Sequence, residues 1–131
     1  MSPQRPRVCK ILLGEDCRVS STLIRSYLAK KGYAITGVGE TGLQTALLYD
    51  RHRPDVVLLD VNMPEGNGLT TLRLIREIDP DALVIMLSSD ASSFTKEIAR
   101  KLGAVFYITK GTAPQQIVEM IQELTGIGPR V

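Results

Sequence analysis

Five short apolar runs alternate with five amphipathic helical patterns along this chain, and that alternation leaves few folds open. The runs fall at residues 8–13, 34–38, 56–59, 82–87 and 105–108. The third, Val56-Val57-Leu58-Leu59, is apolar on both parities, as in a strand buried on both faces of a parallel sheet. Between the runs, Val19, Leu23 and Tyr27 with Ile24 and Leu28 mark the inner face of a first helix. Leu43, Ala46 and Leu47 mark a second, and Leu69, Leu72 and Ile75 a third. Ile98, Ala99 and Leu102 give a weaker fourth, and Ile117, Met120, Ile121 and Leu124 a clean fifth. Gly32 and Gly103 follow helices, Asp79-Pro80 stops one, and Pro114 opens the last at a favoured first-turn position. The prediction is an α/β domain, a doubly wound five-stranded parallel sheet with five helices and right-handed crossovers.

A chain of 131 residues has room for one ordinary domain, and 44% hydrophobic with 23% charged residues is a globular composition. We expect a lead-in without structure at residues 1–7, the domain at 8–125, and a tail or the start of a linker at 126–131. A formal net charge of +2 gives the molecule little reason to seek nucleic acid or an anionic membrane. No apolar stretch approaches a membrane span and no signal peptide is present, so a cytoplasmic location is expected. Cys9 and Cys17 match no metal or redox spacing and read as small buried thiols. His52, in a polar turn at a helix end, reads as a solvated capping residue.

The strand ends carry the chemistry. The first strand runs into Glu15-Asp16, the third ends in Asp60, the fourth in Ser88-Ser89 and the fifth in Thr109-Lys110. Val61-Asn62-Met63-Pro64-Glu65-Gly66-Asn67-Gly68 is a loop by its Pro and Gly content, and is expected to leave Asp60 exposed. In the order 2-1-3-4-5 the first and third strands are neighbours at the switch point, so Glu15, Asp16 and Asp60 share one cluster. Two unit charges about 4 Å apart repel by roughly 4 kcal/mol at an effective dielectric of about 20, which calls for a compensating cation. An all-oxygen set with few protein ligands suits Mg²⁺. Lys110 lies two strands from Asp60, roughly 9–10 Å at ~4.8 Å per strand, within reach of two extended side chains. Ser88 lies between them. A carboxylate with a cation on one side and an ammonium and a hydroxyl on the other is a seat for a phosphoryl group.

With Glu15-Asp16, Asp60-x-x-Met63-Pro64-x-x-x-Gly68, Ser88 and Lys110 in this order, the chain resembles the receiver domain of two-component response regulators, a CheY-like, flavodoxin-like fold. The resemblance spans residues 8–125. It implies that Asp60 accepts a phosphoryl group from a phosphohistidine on a sensor histidine kinase or phosphotransfer protein, or from a small phosphodonor. It implies Mg²⁺ held by Asp16, Asp60 and the Asn62 backbone carbonyl, with Glu15 acting through water. Ser88 and Lys110 would hold phosphoryl oxygens, Tyr107 would be the aromatic switch, and Asn62 and Asp90 would tune the lifetime of the phosphoryl group. The implied output is binding of a downstream protein, or of an effector domain outside this chain, to the face of the fourth helix, fifth strand and fifth helix. Homodimerisation on phosphorylation, and no enzyme activity beyond self-catalysed phosphorylation and dephosphorylation, belong to the same expectation.

Two residues depart from the family pattern. Gly111 follows Lys110 where proline is usual, so the loop is expected to hold Lys110 less rigidly. Gly14 replaces a larger apolar residue, which is expected to loosen the approach to the acidic pair. Three rival readings share the architecture. A Mg²⁺ phosphohydrolase of the haloacid-dehalogenase type needs a second Asp two residues after Asp60, where this chain has Asn62, and no cap domain is present. A flavin protein needs hydroxyls and amides in the first loop, which is acidic here. The third is a receiver whose output depends on binding rather than phosphorylation, which Gly111 keeps open.

Overall fold

The computed structural model describes residues 8–63, 67–89 and 92–129. The expected lead-in, Pro64 of the acceptor stretch, Asp90 and the last two residues of the tail lie outside them. In chain order the elements are β1 (Lys10–Gly14), α1 (Arg18–Lys30), β2 (Ala34–Gly39), α2 (Gly42–His52) and β3 (Val56–Asp60). They continue with α3 (Gly68–Ile78), β4 (Val84–Ser88), α4 (Ser93–Lys101), β5 (Phe106–Thr109) and α5 (Pro114–Thr125). The strands form one parallel sheet in the order β2-β1-β3-β4-β5, as the alternation predicts.

Strand parity divides the core in two. Ile11, Leu13, Val56, Leu58, Ile85, Leu87 and Ile108 point to one side, where Leu28 of α1 and Ile117, Val118 and Ile121 of α5 cover them. Leu12, Val57, Leu59, Val84 and Met86 point to the other, under Tyr49 of α2, Leu72 and Ile75 of α3, and Ala99 of α4. Each large apolar side chain withdrawn from water here contributes about 1.5–3 kcal/mol. The helix punctuation matches expectation: Asp79 caps the end of α3, and Pro114 opens α5.

Two expected helix faces turn out differently. Val19 and Leu23 of α1 are 69% and 68% exposed, and Leu43 and Leu47 of α2 are 60% and 61% exposed. The cause at α2 is close approach. Ala46 is buried as expected, but Gly42, Thr45 and Tyr49 face the sheet with it in place of the leucines, because Gly14 and Gly39 bring the backbone against Thr45. A Cβ at Gly14 would lie 2.6 Å from Leu59 Cδ1 and 3.1 Å from Thr45 Cγ2. Gly14 therefore tightens this region rather than loosening it. Cys9 is buried as expected, but Cys17 is exposed at the N-cap of α1.

Gly68, the first residue of α3, fixes the chain behind Asp60. Its N–H donates to the Val61 carbonyl at 2.7 Å, and a Cβ there would fall 2.1 Å from the Asp60 carbonyl oxygen. Backbone cannot retreat as a side-chain tip can. Gly68→Ala is expected to cost about 1–3 kcal/mol, read as a lower urea midpoint at an unchanged slope.

Candidate functional site

The sheet ladder runs one residue past several strands, and that extension sets the site. Glu15 N–H donates to the Gly39 carbonyl at 2.9 Å, Val61 N–H to Leu87 at 2.9 Å, and Lys110 N–H to Ser88 at 2.9 Å. Glu15, Asp60 and Lys110 thus keep the parity of Leu13, Leu58 and Ile108 and converge on the α1–α5 side. Ser88 and Tyr107 keep the parity of Met86 and fall on the α4 side.

Asp60 is only 1% exposed, which corrects the expectation of an exposed loop residue. It is the last residue of β3, paired with Leu87, so neighbouring strands cover it on both sides. Its Oδ1 accepts a hydrogen bond from the Asn62 N–H at 3.0 Å. Its Oδ2 lies 2.8 Å from Lys110 Nζ, an ion pair, but has no aligned hydrogen-bond donor among the described residues. The distance establishes the charge pairing; the missing alignment leaves lone pairs of a buried carboxylate unused.

Lys110 Nζ also donates to Glu15 Oε1 at 3.0 Å. The expected reach from Lys110 to Asp60 is present, while the direct pair with Glu15 was not anticipated. Their shared parity at two strand ends is the sequence signal for it. Burial works against the ammonium, but the neighbouring Asp60 and Glu15 carboxylates outweigh it and raise the Lys110 pKa. Glu15, buried at 6% exposure, is pushed up to about 7. Burial of its charge is the first cause; the neighbouring Asp60 carboxylate adds to it, and Lys110 pulls the other way.

Glu15, Asp16 and Asp60 each offer a carboxylate oxygen, all within 4.8 Å of one another, with Asp16 exposed at the mouth. Hard oxygen donors and an orphaned Asp60 oxygen fit a Mg²⁺ that keeps several waters. Ser88 is fully buried. Asn62 is exposed, and its Nδ2 donates to Ser89 Oγ at 3.5 Å. Tyr107 is half-buried beside α4, where with Lys96, Arg100 and Phe106 it lines a hollow of about 260 Å³. A larger apolar hollow, about 340 Å³, opens between α1 and α5. Leu23, Ile24, Leu58 and Ile117 line it, and Glu15, Lys110 and Gly111 form its polar rim. Among the described residues no helix is long and apolar enough to cross a membrane.

A raised carboxyl pKa has a definite sign. Without a cation, the stability that Glu15 contributes is fully present below pH 4.5 and is lost as pH rises through about 7. A cation competes with that proton. Mg²⁺ affinity, by calorimetry or amide NMR titration, should fall about tenfold from pH 8 to pH 6, and Glu15→Gln should remove most of that dependence.

The family model for the response regulator receiver domain matches residues 11–122. The chemotaxis protein CheY of Bacillus subtilis is 32% identical over 114 residues, covering 87% of this chain and 95% of that protein. The protein CcdB of the same organism is 33% identical, covering 89% of this chain and 98% of the relative. Among solved structures, the NarL receiver domain of Mycobacterium tuberculosis superposes with a TM-score of 0.87 at 21% identity, over 92% of this chain and 98% of that one. A CheX–CheY–BeF3–Mg complex from Borrelia burgdorferi gives 0.84 at 24% identity, over 88% and 87%.

Proposed function

Because the chain belongs to the response regulator receiver domain family, we propose that Asp60 is a phosphoacceptor loaded by the phosphohistidine of a sensor histidine kinase or phosphotransfer protein. The observation that carries this is the buried Asp60 carboxylate, clustered with Glu15 and Asp16, whose Oδ2 is ion-paired to Lys110 yet has no aligned hydrogen-bond donor among the described residues. An Asp60 oxygen attacks phosphorus, a P–O bond forms, the P–N bond breaks, and its electron pair returns to the imidazole nitrogen. A small acyl phosphate serves in the same way, with carboxylate as leaving group.

The remaining residues divide the work. Asp16 and Asp60 would hold Mg²⁺, with Glu15 through water and the Asn62 backbone carbonyl completing the protein's share. When bound, the ion screens the incoming phosphoryl oxygens from the surrounding carboxylates. Lys110 leaves Glu15 and follows the new charge, roughly −2 at Asp60, and the Ser88 hydroxyl donates to the same oxygens. Ser88 and Tyr107 share the α4 side of the sheet, so that movement is passed to the α4–β5–α5 face. There a downstream protein, an effector domain outside this chain or a second copy would bind. Asn62, exposed at the mouth, and Asp90 set how readily water reaches the acyl phosphate. The protein acts in the cytoplasm as a signalling module, with no turnover beyond its own phosphorylation and dephosphorylation.

Acetyl phosphate labelled on phosphorus, with Mg²⁺, should label the wild-type protein, and Asp60→Asn should take up none. Undiminished labelling of that variant removes the assignment.

A further inference from the structure

Gly111 is a glycine that nothing in the fold requires. A Cβ built there meets no atom within 4 Å, and its φ is not in the left-handed region. Gly14, Gly39 and Gly68, by contrast, have no room for a side chain, and Gly103 and Gly126 have positive φ. Gly111 also sits at a defined point of a turn. The Thr112 N–H donates to the Thr109 carbonyl at 3.0 Å, so Lys110 and Gly111 are the two central residues of a β-turn. With a hydrogen bond across it and no positive φ at its third position, the turn is of type I, which accepts most residues there. Glycine at that position is what the type II turn demands.

The two turn types differ by a flip of one peptide plane. Rotating the Lys110–Gly111 peptide carries Gly111 to positive φ while Thr109 and Thr112 stay in place. Among the described residues neither the Gly111 N–H nor the Lys110 carbonyl takes part in a hydrogen bond, so the flip breaks none. Both residues line the 340 Å³ hollow beside the Glu15–Lys110 pair. The peptide that flips follows directly on the lysine whose ammonium pairs with Asp60, so the flip changes the backbone that carries that side chain.

Resting on the phosphoacceptor reading of Asp60, we propose that Gly111 is a positioning residue. The turn is type I in the free protein and type II when a phosphoryl-like anion occupies Asp60. A residue at 111 confined to negative φ would serve the free form equally well, so it is the loaded form that needs glycine. An L-residue other than Asn or Asp finds the left-handed region harder to reach, enough to reduce the flipped population about 5- to 30-fold. The loss appears in the affinity of any ligand that selects that form.

Beryllofluoride with Mg²⁺ is the probe, followed by amide NMR in wild-type protein, Gly111→Ala and Gly111→Asn. Wild-type Gly111 should move to positive φ on loading, by coupling constants and backbone shifts. Gly111→Ala should bind the probe about 5- to 30-fold more weakly with a thermal midpoint no lower than that of the wild type, and Gly111→Asn, which tolerates the left-handed region, should restore most of the affinity. If the wild-type protein loads while Gly111 keeps negative φ, or the Ala variant loads equally well, the inference is overturned. A wild-type protein that ignores the probe overturns the phosphoacceptor reading as well, and the two failures are told apart by that spectrum.

Discussion

One ammonium held between two buried carboxylates is the contact on which this site depends. Lys110 reaches Glu15 at 3.0 Å and Asp60 at 2.8 Å across a strand that contributes Ser88 between them. Withdrawing a carboxylate from water is expensive unless a charge or hydrogen bonds compensate. Here the compensation is incomplete. Asp60 Oδ2 lacks an aligned donor, Glu15 is pushed up to about 7, and Asp16 adds a third carboxylate at the mouth. The deficit is what gives an added cation or an incoming phosphoryl group something to stabilise.

The sheet divides the site between its two faces. Glu15, Asp60 and Lys110 look towards α1 and α5, beside an apolar hollow. Ser88 and Tyr107 look towards α4, where Tyr107 lines a smaller hollow with Lys96 and Arg100. Under the proposed function, loading and readout are thereby separated by one layer of backbone, and only the strand ends touch both. This is a consequence of period-two alternation in strands that all stop at the same edge. The exposed Leu23 and the basic α4 belong to different surfaces for the same reason.

Much of this was legible in the chain. The third run, apolar on both parities, already specified a sheet covered on both faces, and polar residues at the strand ends marked its working edge. The helix faces were less legible. Leucine spacing pointed Leu43 and Leu47 inward, but Gly14 and Gly39 let Thr45 pack so close to the sheet that small residues occupy the interface. A hydrophobic period reports which residues could be buried; the separation between two backbones decides which are. Gly14 misled in the same way, since a missing side chain reads as empty space until a neighbour is seen to fill it.

The sequence by itself determined the layer order of the fold, the acidic, hydroxyl and ammonium groups at the strand ends, and hence the family. These follow from local periodicity and from which residue ends each run. Tertiary structure decided that Asp60 is buried rather than exposed and that Lys110 serves Glu15 as well as Asp60. Those are distances between segments as many as 95 residues apart. No local pattern encodes them, because each depends on how neighbouring strands and loops divide the same small space.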